Sequence, residues 1–137
     1  MTLSRDIVFL DASVLFSAAY RPEAKFLKLW QMRYVNLVTS PYAAEEARRN
    51  LEKPEQRERL EKLLQSVELI SAMPGKALPE GVDLPAKDAP ILLAAIAANA
   101  THLLTSDLRH FGPYYDKIVE GVLILSPAGY FKRRPPE

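Results

Sequence analysis

Residues 7–11 have the sequence Ile-Val-Phe-Leu-Asp, a short apolar run that ends in a carboxylate. A continuous apolar run without polar alternation is typical of a strand that is buried on both faces. Such strands form parallel sheets, because crossover helices cover both faces of these sheets. The next residues, Ala12–Ala19, have the apolar composition of a helix. We therefore predict that this region forms the first strand and the first helix of an α/β domain.

Strands and helices are predicted to alternate along the rest of the chain. Four more apolar runs predict strands, at Val35–Thr39, Val67–Ile70, His102–Thr105 and Val122–Leu125. The intervening segments predict helices at Phe26–Met32, Pro41–Leu51, Glu55–Gln65 and Lys87–Asn99, with short helical turns at Leu108–Phe111 and Pro127–Phe131. Residues 71–86 are rich in proline and glycine and are predicted to form a long loop. This alternation predicts a parallel sheet with helices on both faces.

Size and composition limit the class of protein. The chain has 137 residues, of which 48% are hydrophobic and 26% are charged, and this composition predicts one folded domain at residues 1–137. The absence of cysteine excludes disulfide bonds and thiolate metal sites. The N-terminal residues lack the pattern of a signal peptide, and no apolar run approaches the ~20 residues that cross a bilayer. We expect a cytoplasmic protein that does not enter a membrane.

Four acidic residues occupy positions at which a metal-dependent nuclease needs carboxylates. Asp11 and Asp107 follow predicted strands, Glu46 lies in the helix after the second strand, and Asp88 lies at the start of the most apolar helix. Carboxylates placed in this way can converge at the carboxyl edge of a parallel sheet, where open α/β folds have their sites. With no cysteine and two histidines in the chain, such a cluster suits Mg²⁺ or Mn²⁺ and hence phosphodiester chemistry.

Each of these acids also has a purely structural explanation. Asp11, Asp88 and Asp107 lie at the starts of predicted helices, where a carboxylate caps backbone N–H groups or interacts favourably with the helix dipole. Glu46 lies closer to the apolar face of its helix than its neighbour Glu45, so Glu46 is the preferred ligand and Glu45 the alternative. The metal hypothesis is favoured because one topology brings all four carboxylates to the same edge of the sheet.

Hydroxyl groups and two histidines accompany the acids. Ser13, Thr105 and Ser106 are expected beside the site, where their hydroxyls could bind Asp11, a ligand water or the substrate. His110 follows Asp107 closely and could contact the substrate, whereas His102 precedes a strand and is expected to be structural. The distance between the two histidines in the sequence does not fit a zinc site.

The distribution of positive charge gives candidates for phosphate binding. The net charge of +1 is not that of a strongly basic nucleic-acid-binding domain. Arg48, Arg49 and Arg109 nevertheless lie close in sequence to the acids and could clamp phosphates. Arg48 and Arg49 could equally belong to a solvated helix face, because acidic and basic residues alternate in this part of the chain.

Four segments around the acids follow one another in a recognisable order. They are Asp11–Ala18, Ser40–Leu51, Lys87–Ala95 and Leu103–Phe111. Together they resemble the four acidic motifs of PIN-domain ribonucleases, and the resemblance covers essentially the whole chain.

The resemblance implies a three-layer α/β/α sandwich with a central parallel sheet. It also implies Mg²⁺- or Mn²⁺-dependent cleavage of RNA. The residues that match the acidic quartet and its hydroxyl neighbour are Asp11, Glu46, Asp88 and Asp107, with Thr105 or Ser106. Many small PIN proteins resemble VapC-like toxins of type II toxin–antitoxin systems, so an antitoxin partner and a homodimer are further expectations.

Two other functions remain open at this point. One is a non-catalytic PIN-like or other α/β module that binds RNA or a protein, with the acids acting only as helix caps. The other is a phosphotransfer protein in which Asp11 is the nucleophile, although such sites commonly have another acid where this chain has Ser13. RNA binding without cleavage would support the first, and a trapped phosphoaspartate would support the second.

Overall fold

The computed structural model describes residues 5–134 and has six β-strands and six α-helices in this range. The predicted domain span of 1–137 therefore includes residues 1–4 and 135–137, which lie outside the described range. The strands are β1 (Asp6–Leu10), β2 (Val35–Thr39), β3 (Glu68–Leu69), β4 (His102–Leu104), β5 (Ile118–Val119) and β6 (Val122–Leu125). The α-helices are α1 (Ala12–Ala19), α2 (Pro41–Asn50), α3 (Pro54–Leu64), α4 (Ala89–Ala97), α5 (Leu108–Phe111) and α6 (Pro127–Arg133).

The strands form one sheet in the order β3-β2-β1-β4-β6-β5. Neighbouring strands are parallel except β5 and β6, which are antiparallel. In the central strand β1, Val8 pairs with Leu37 of β2 on one side and with His102 of β4 on the other. The chain passes from β1 to β2 and β3 and then returns to β4 on the opposite side of β1. Open α/β folds bind their ligands at the carboxyl ends of the strands beside such a reversal.

Helices cover both faces of the sheet. α1, α2 and α3 connect strands that advance in one direction across the sheet, whereas α4 and α5 connect strands that advance in the other. Because crossovers between parallel strands are right-handed, the two groups of helices lie on opposite faces. Val8, Phe9 and Leu10 of β1 are fully buried between these layers. The predicted α/β sandwich with a central parallel sheet is confirmed.

The helix predicted at Phe26–Met32 is instead a 3-10 helix at Lys25–Gln31. Side chains three residues apart lie on the same side of a 3-10 helix. Phe26, Leu29 and Met32 have this spacing, and all three pack against the core. A spacing of three is compatible with both helix types, which explains why the sequence did not distinguish them.

Strand β5 was not predicted. It pairs with β6 through a two-residue turn at Glu120 and Gly121, which have φ angles of 49° and 84°. Positive φ at both positions is characteristic of the tight turns that suit β-hairpins, in which Asn or Asp usually precedes Gly. Glutamate at the first position and a strand of only two residues gave no recognisable hairpin signal.

The predicted loop at residues 71–86 has no helix or strand. Leu84 is nevertheless buried in the core. The Tyr114 hydroxyl accepts a hydrogen bond from the Asp83 N–H (2.8 Å) and donates one to the Asp83 carbonyl (3.1 Å). These contacts attach the end of the loop to the segment that follows α5, just before the chain reaches Asp88.

A polar network joins the start of β1 to the C-terminal helix α6. The buried Tyr130 hydroxyl donates a hydrogen bond to Asp6 Oδ2 (2.7 Å), and Arg134 Nη1 lies 2.9 Å from the same oxygen. The His102 ring packs edge-on against Tyr130, with the ring centroids 5.0 Å apart. The network lies at the edge of the sheet opposite the carboxyl ends of β1 and β4.

We expect Tyr130→Phe to lower the free energy of unfolding by about 1.5–3 kcal/mol, because it removes a buried hydrogen bond to a charged acceptor. Urea unfolding followed by circular dichroism measures this change. Tyr114→Phe is the matched control, since its hydroxyl bonds lie at an exposed site, and it should cost less. An equal loss in the two variants would contradict the importance of the Asp6 contact.

No helix in the described part of the chain is long and apolar enough to cross a membrane.

Candidate metal centre

The four predicted acids surround one cleft at the carboxyl edge of the sheet, beside the reversal of strand order between β1 and β4. The cleft has a volume of about 360 Å³. Its lining residues include Asp11, Glu46, Asp88 and Asp107. The sequence-based expectation that these side chains lie near one another therefore agrees with their positions in the fold.

Asp11 is held in place by hydrogen bonds to both of its carboxylate oxygens. It is 6% exposed and forms the N-cap of α1, where Oδ1 accepts a hydrogen bond from the Ala12 N–H (2.7 Å). Oδ2 accepts hydrogen bonds from the hydroxyls of Ser13 (2.9 Å) and Thr105 (2.7 Å). A carboxylate has about four lone-pair sites, so one remains for a further ligand.

The hydroxyls of Thr105 and Ser13 connect Asp11 to the turn after β4. Each hydroxyl donates a hydrogen bond to Asp11 and accepts one from a backbone N–H. The Thr105 hydroxyl accepts from the Asp107 N–H (3.0 Å), and the Ser13 hydroxyl accepts from the Ser106 N–H (3.1 Å). Thr105 is fully buried. Of the predicted partners of these two hydroxyls (Asp11, a ligand water or the substrate), the structure shows Asp11, and the two hydrogen bonds fix its distance from Asp107.

Asp88 and Asp107 face the same imidazole. His110 Nδ1 lies 2.9 Å from Asp88 Oδ2 and 2.9 Å from Asp107 Oδ2. Both carboxylate oxygens are hydrogen-bond acceptors, and a single N–H group at Nδ1 can align well with only one of them. The angles favour Asp107, which leaves Asp88 Oδ2 close to the nitrogen but without a hydrogen-bond donor. One ligand atom from each of the three residues lies within 4.8 Å of the others.

Helix capping explains some of the acids better than others. Asp107 caps α5, because its Oδ1 accepts a hydrogen bond from the His110 N–H (3.2 Å). Asp88 occupies the N-cap position of α4 but its side chain makes no capping hydrogen bond. It is only 8% exposed. Helix capping therefore accounts for Asp11 and Asp107 in part, but it does not account for Asp88.

Glu46 and Glu45 point to different surroundings. Glu46 lines the cleft and is half-buried. Glu45 is exposed and lies 3.4 Å from Arg48, which also forms a 2.7 Å ion pair with Glu61 of α3. Arg48 therefore joins α2 to α3 and does not line the cleft. Arg49 is exposed, and its charge opposes the rise in the pKa of Glu46 that burial causes.

Burial and mutual repulsion make ionisation of these acids unfavourable. Burial raises the pKa of Asp11 against the opposing effect of its hydrogen bonds, and the charge of Asp88 raises it further. Burial also raises the pKa of Glu46, with additional contributions from Asp11 and Asp88. The pKa of Asp88 is raised by burial, lowered by His110 and raised by Asp107. Clustered carboxylates of this kind favour a positively charged partner.

The donor set fits a hard divalent cation. Carboxylate oxygens are the preferred protein ligands of Mg²⁺ and Mn²⁺, and a buried carboxylate oxygen without a donor is available at Asp88. The acidic cluster can therefore hold a metal ion.

The sequence did not indicate the positions that Lys87 and His110 occupy at the acidic cluster. Lys87 lines the cleft, and the Tyr42 hydroxyl donates a 2.8 Å hydrogen bond to its carbonyl, which fixes the start of α4 against α2. His110 was considered only as a possible substrate contact, whereas it lies between two of the acids. Its position three residues after Asp107 on a short helix was the available signal. Arg109, a predicted phosphate contact, is exposed and does not line the cleft.

Comparison with known proteins agrees with this fold. The chain is similar to the crystal structure of VapBC2 from Rickettsia felis bound to a DNA fragment from their promoter, with a TM-score of 0.60 and 16% sequence identity. The match covers 88% of this chain and 98% of that chain. No curated protein gives a significant match. A family model described as the PIN domain matches residues 7–109, which include all four acids, and the chain belongs to the PIN domain family.

Proposed function

We propose that this chain is an endoribonuclease that depends on Mg²⁺ or Mn²⁺, with one nuclease domain at residues 1–137. Members of the PIN domain family are in general nucleases. The observation that carries the proposal is the Asp88 carboxylate, which is 8% exposed and has an oxygen without a hydrogen-bond donor beside Asp107 and His110. A carboxylate that serves only as a helix cap would have its oxygens paired with backbone N–H groups, whereas a hard cation binds to a free oxygen.

The proposed roles follow from the positions of the side chains. Asp88 and Asp107 would hold the metal, and Asp11 and Glu46 would bind it directly or through water. A bound divalent ion would supply Lewis-acid stabilisation of the phosphate and a water of lowered pKa. The Lys87 ammonium group lines the same cleft and would bind a phosphate oxygen.

In this proposal the hydroxyls of Thr105 and Ser13 hold Asp11 in position and do not contact the substrate. Thr105 and Ser13 hold Asp11 Oδ2 between two donors, so the carboxylate cannot rotate away from the cleft without breaking both hydrogen bonds. Their backbone partners lie in the turn that carries Asp107. The network would keep the two aspartates at a constant separation during turnover.

The two alternative functions are less well supported. A binding module with helix caps does not explain the unpaired oxygen of Asp88. A phosphotransfer protein needs a nucleophilic aspartate that is accessible, but Asp11 is 6% exposed and both of its oxygens accept hydrogen bonds. The nuclease proposal needs only the remaining lone-pair site of Asp11 for the metal or its water, and metal binding accounts for the unpaired oxygen of Asp88.

We extend the proposal to a role as the toxin of a toxin–antitoxin pair in the cytoplasm. The likeness to the VapBC2 structure supports the comparison at the level of the fold. An antitoxin segment would then block the cleft, and the chain would form a homodimer. Light scattering of the purified chain tests the dimer, and co-purification with the product of an adjacent small gene tests the antitoxin.

The purified chain is expected to cut a circular single-stranded RNA when Mn²⁺ is present and to stop cutting when EDTA is added. A circular substrate has no ends, so any product shows endonucleolytic cleavage. Titration calorimetry should detect Mn²⁺ binding to the wild type and a loss of binding in the double variant Asp88→Asn/Asp107→Asn. RNA binding without cleavage, unaffected by Mn²⁺, would support the binding module instead.

A further inference from the structure

A second depression adjoins the acidic cleft. It has a volume of about 330 Å³ and lies between the C-terminal end of α1 and the 3-10 helix at Lys25–Gln31. Its walls include the aromatic rings of Phe16, Tyr20 and Phe26. Phe16 lines both this depression and the acidic cleft, so the two adjoin at this residue of α1. We call this depression the aromatic pocket.

The aromatic pocket presents a ring surface to solvent. Tyr20 is 52% exposed. Its ring centroid lies 5.4 Å from that of Phe16, with the ring planes tilted by 43°. Exposed aromatic rings of this kind are the platforms on which proteins stack the bases of single-stranded nucleic acids.

The rim of the aromatic pocket is positively charged. Arg21 and Lys25 both line it, are exposed and form no ion pair within residues 5–134. Glu23 lies between them in the sequence but does not line the pocket. Arg59 donates hydrogen bonds to the carbonyls of Ala19 (3.0 Å) and Tyr20 (3.1 Å). This guanidinium offsets the negative end of the α1 dipole, which would otherwise repel a phosphate.

We propose that the aromatic pocket binds an unstacked base of the single-stranded RNA whose phosphate lies at the acidic centre. Tyr20 and Phe16 stack on the base, and Arg21 and Lys25 bind the flanking phosphates. The identity of the strand as RNA rests on the proposed function. Asp11 and Tyr20 are separated by the length of α1, about 13 Å, which a few nucleotides can span. Two unpaired cations beside an aromatic surface favour a polyanion over an apolar protein segment.

The test is binding of a fluorescein-labelled single-stranded octaribonucleotide, followed by fluorescence anisotropy in EDTA so that no metal-dependent cleavage occurs. Tyr20→Ala should weaken binding about tenfold, because loss of one base–aromatic stack has an effect of this order. Tyr20→Phe keeps the ring and should bind like the wild type. Tyr34→Ala is the matched control, since Tyr34 is also an exposed tyrosine (38%) but does not line the pocket.

The charged residues have a separate readout. Arg21→Ala/Lys25→Ala should reduce the slope of log K against log salt by about 1.4, or ~0.7 for each lost phosphate contact. The control Lys117→Ala should leave the slope unchanged. The proposal would be overturned if Tyr20→Ala and the double variant both kept the wild-type affinity and salt dependence. It would also be overturned if the wild type bound no oligonucleotide. Either result would favour a protein segment as the ligand of the pocket.

The assay also separates this inference from the proposed nuclease function. Binding that depends on Tyr20 without cleavage in Mn²⁺ would support the aromatic pocket and contradict the nuclease function. Cleavage by Tyr20→Ala at the wild-type rate and with the wild-type KM would contradict the aromatic pocket and support the nuclease function.

Discussion

Asp107→Asn is expected to slow Mn²⁺-dependent RNA cleavage on the order of 10²–10³-fold while the chain remains folded. Asp107 accepts the His110 N–H at the start of α5, and asparagine is as good an N-cap as aspartate. The substitution therefore preserves the cap of α5 and changes only the contact of Asp107 Oδ2 with His110 Nδ1 (2.9 Å). It removes the negative charge and one of the oxygens that would bind the metal. kcat/KM on a single-stranded RNA, measured with circular dichroism of the same preparation, gives the two readouts.

The control for this experiment is Asp116→Asn. Asp116 is exposed and has a φ of 67°, which asparagine tolerates well. It does not line the cleft. The pair Glu46→Gln and Glu45→Gln adds a second comparison, because adjacent residues of one helix undergo the same chemical change and only Glu46 lines the cleft. Equal rates for Asp107→Asn and the wild type would show that Asp107 acts only as a helix cap.

Asp88→Asn is expected to stabilise the metal-free protein at neutral pH. The wild type buries a carboxylate oxygen without a donor, and an unsatisfied buried polar group typically costs about 1–3 kcal/mol. Asparagine has an NH₂ group that can donate a hydrogen bond to the nearby Asp107 carboxylate, and it removes one of the clustered charges. A gain of this size raises the melting temperature by about 3 °C or more in a chain of this length.

The pH dependence of this gain has a definite sign. The pKa of Asp88 is raised above its ordinary value of 3.8, so the folded chain binds a proton at this site more readily than the unfolded chain. The cost of the ionised carboxylate is therefore fully present above the raised pKa and decreases as the pH falls towards 3.8. The difference in melting temperature between Asp88→Asn and the wild type should be largest at neutral pH and should shrink as the solution is acidified.

In the presence of Mn²⁺ the wild type should become more stable than Asp88→Asn. A ligand at 100 times its Kd stabilises the folded state by about 2.7 kcal/mol, so the wild type should gain about 8 °C and the variant much less. Thermal melts with EDTA and with Mn²⁺, for the wild type, Asp88→Asn and Asp116→Asn, measure all of these effects. A variant that is less stable than the wild type without metal, or that is stabilised equally by Mn²⁺, would contradict a metal role for Asp88.

The fold followed from the sequence wherever one local signal dominated. The apolar run before Asp11 specified a strand buried on both faces, and Ser40-Pro41 specified the start of α2 through its cap and its fixed φ. The proximity of the four acids also followed, because parallel strands place their carboxyl ends at one edge. These inferences depend on backbone geometry, which short sequence patterns largely determine.

Side-chain partners were less predictable because they depend on contacts between distant segments. Arg48 was a candidate for phosphate binding until the packing of α2 on α3 paired it with Glu61. Lys87 was not a candidate, because no local sequence pattern indicated that it lines the cleft beside Asp88. His110 lies three residues from Asp107, but its contact with Asp88 joins segments that are 22 positions apart.

The network of Asp6, Tyr130 and Arg134 has a practical consequence for building on this scaffold. The ion pair between Asp6 and Arg134 brings both ends of the described range together, with their charged atoms 2.9 Å apart. β1 has five residues, so this point lies about 15 Å from the carboxyl end of the strand. A reporter domain fused beyond either residue would leave the cleft open. A short linker between the two ends would allow circular permutation, with new termini placed in the 71–86 loop.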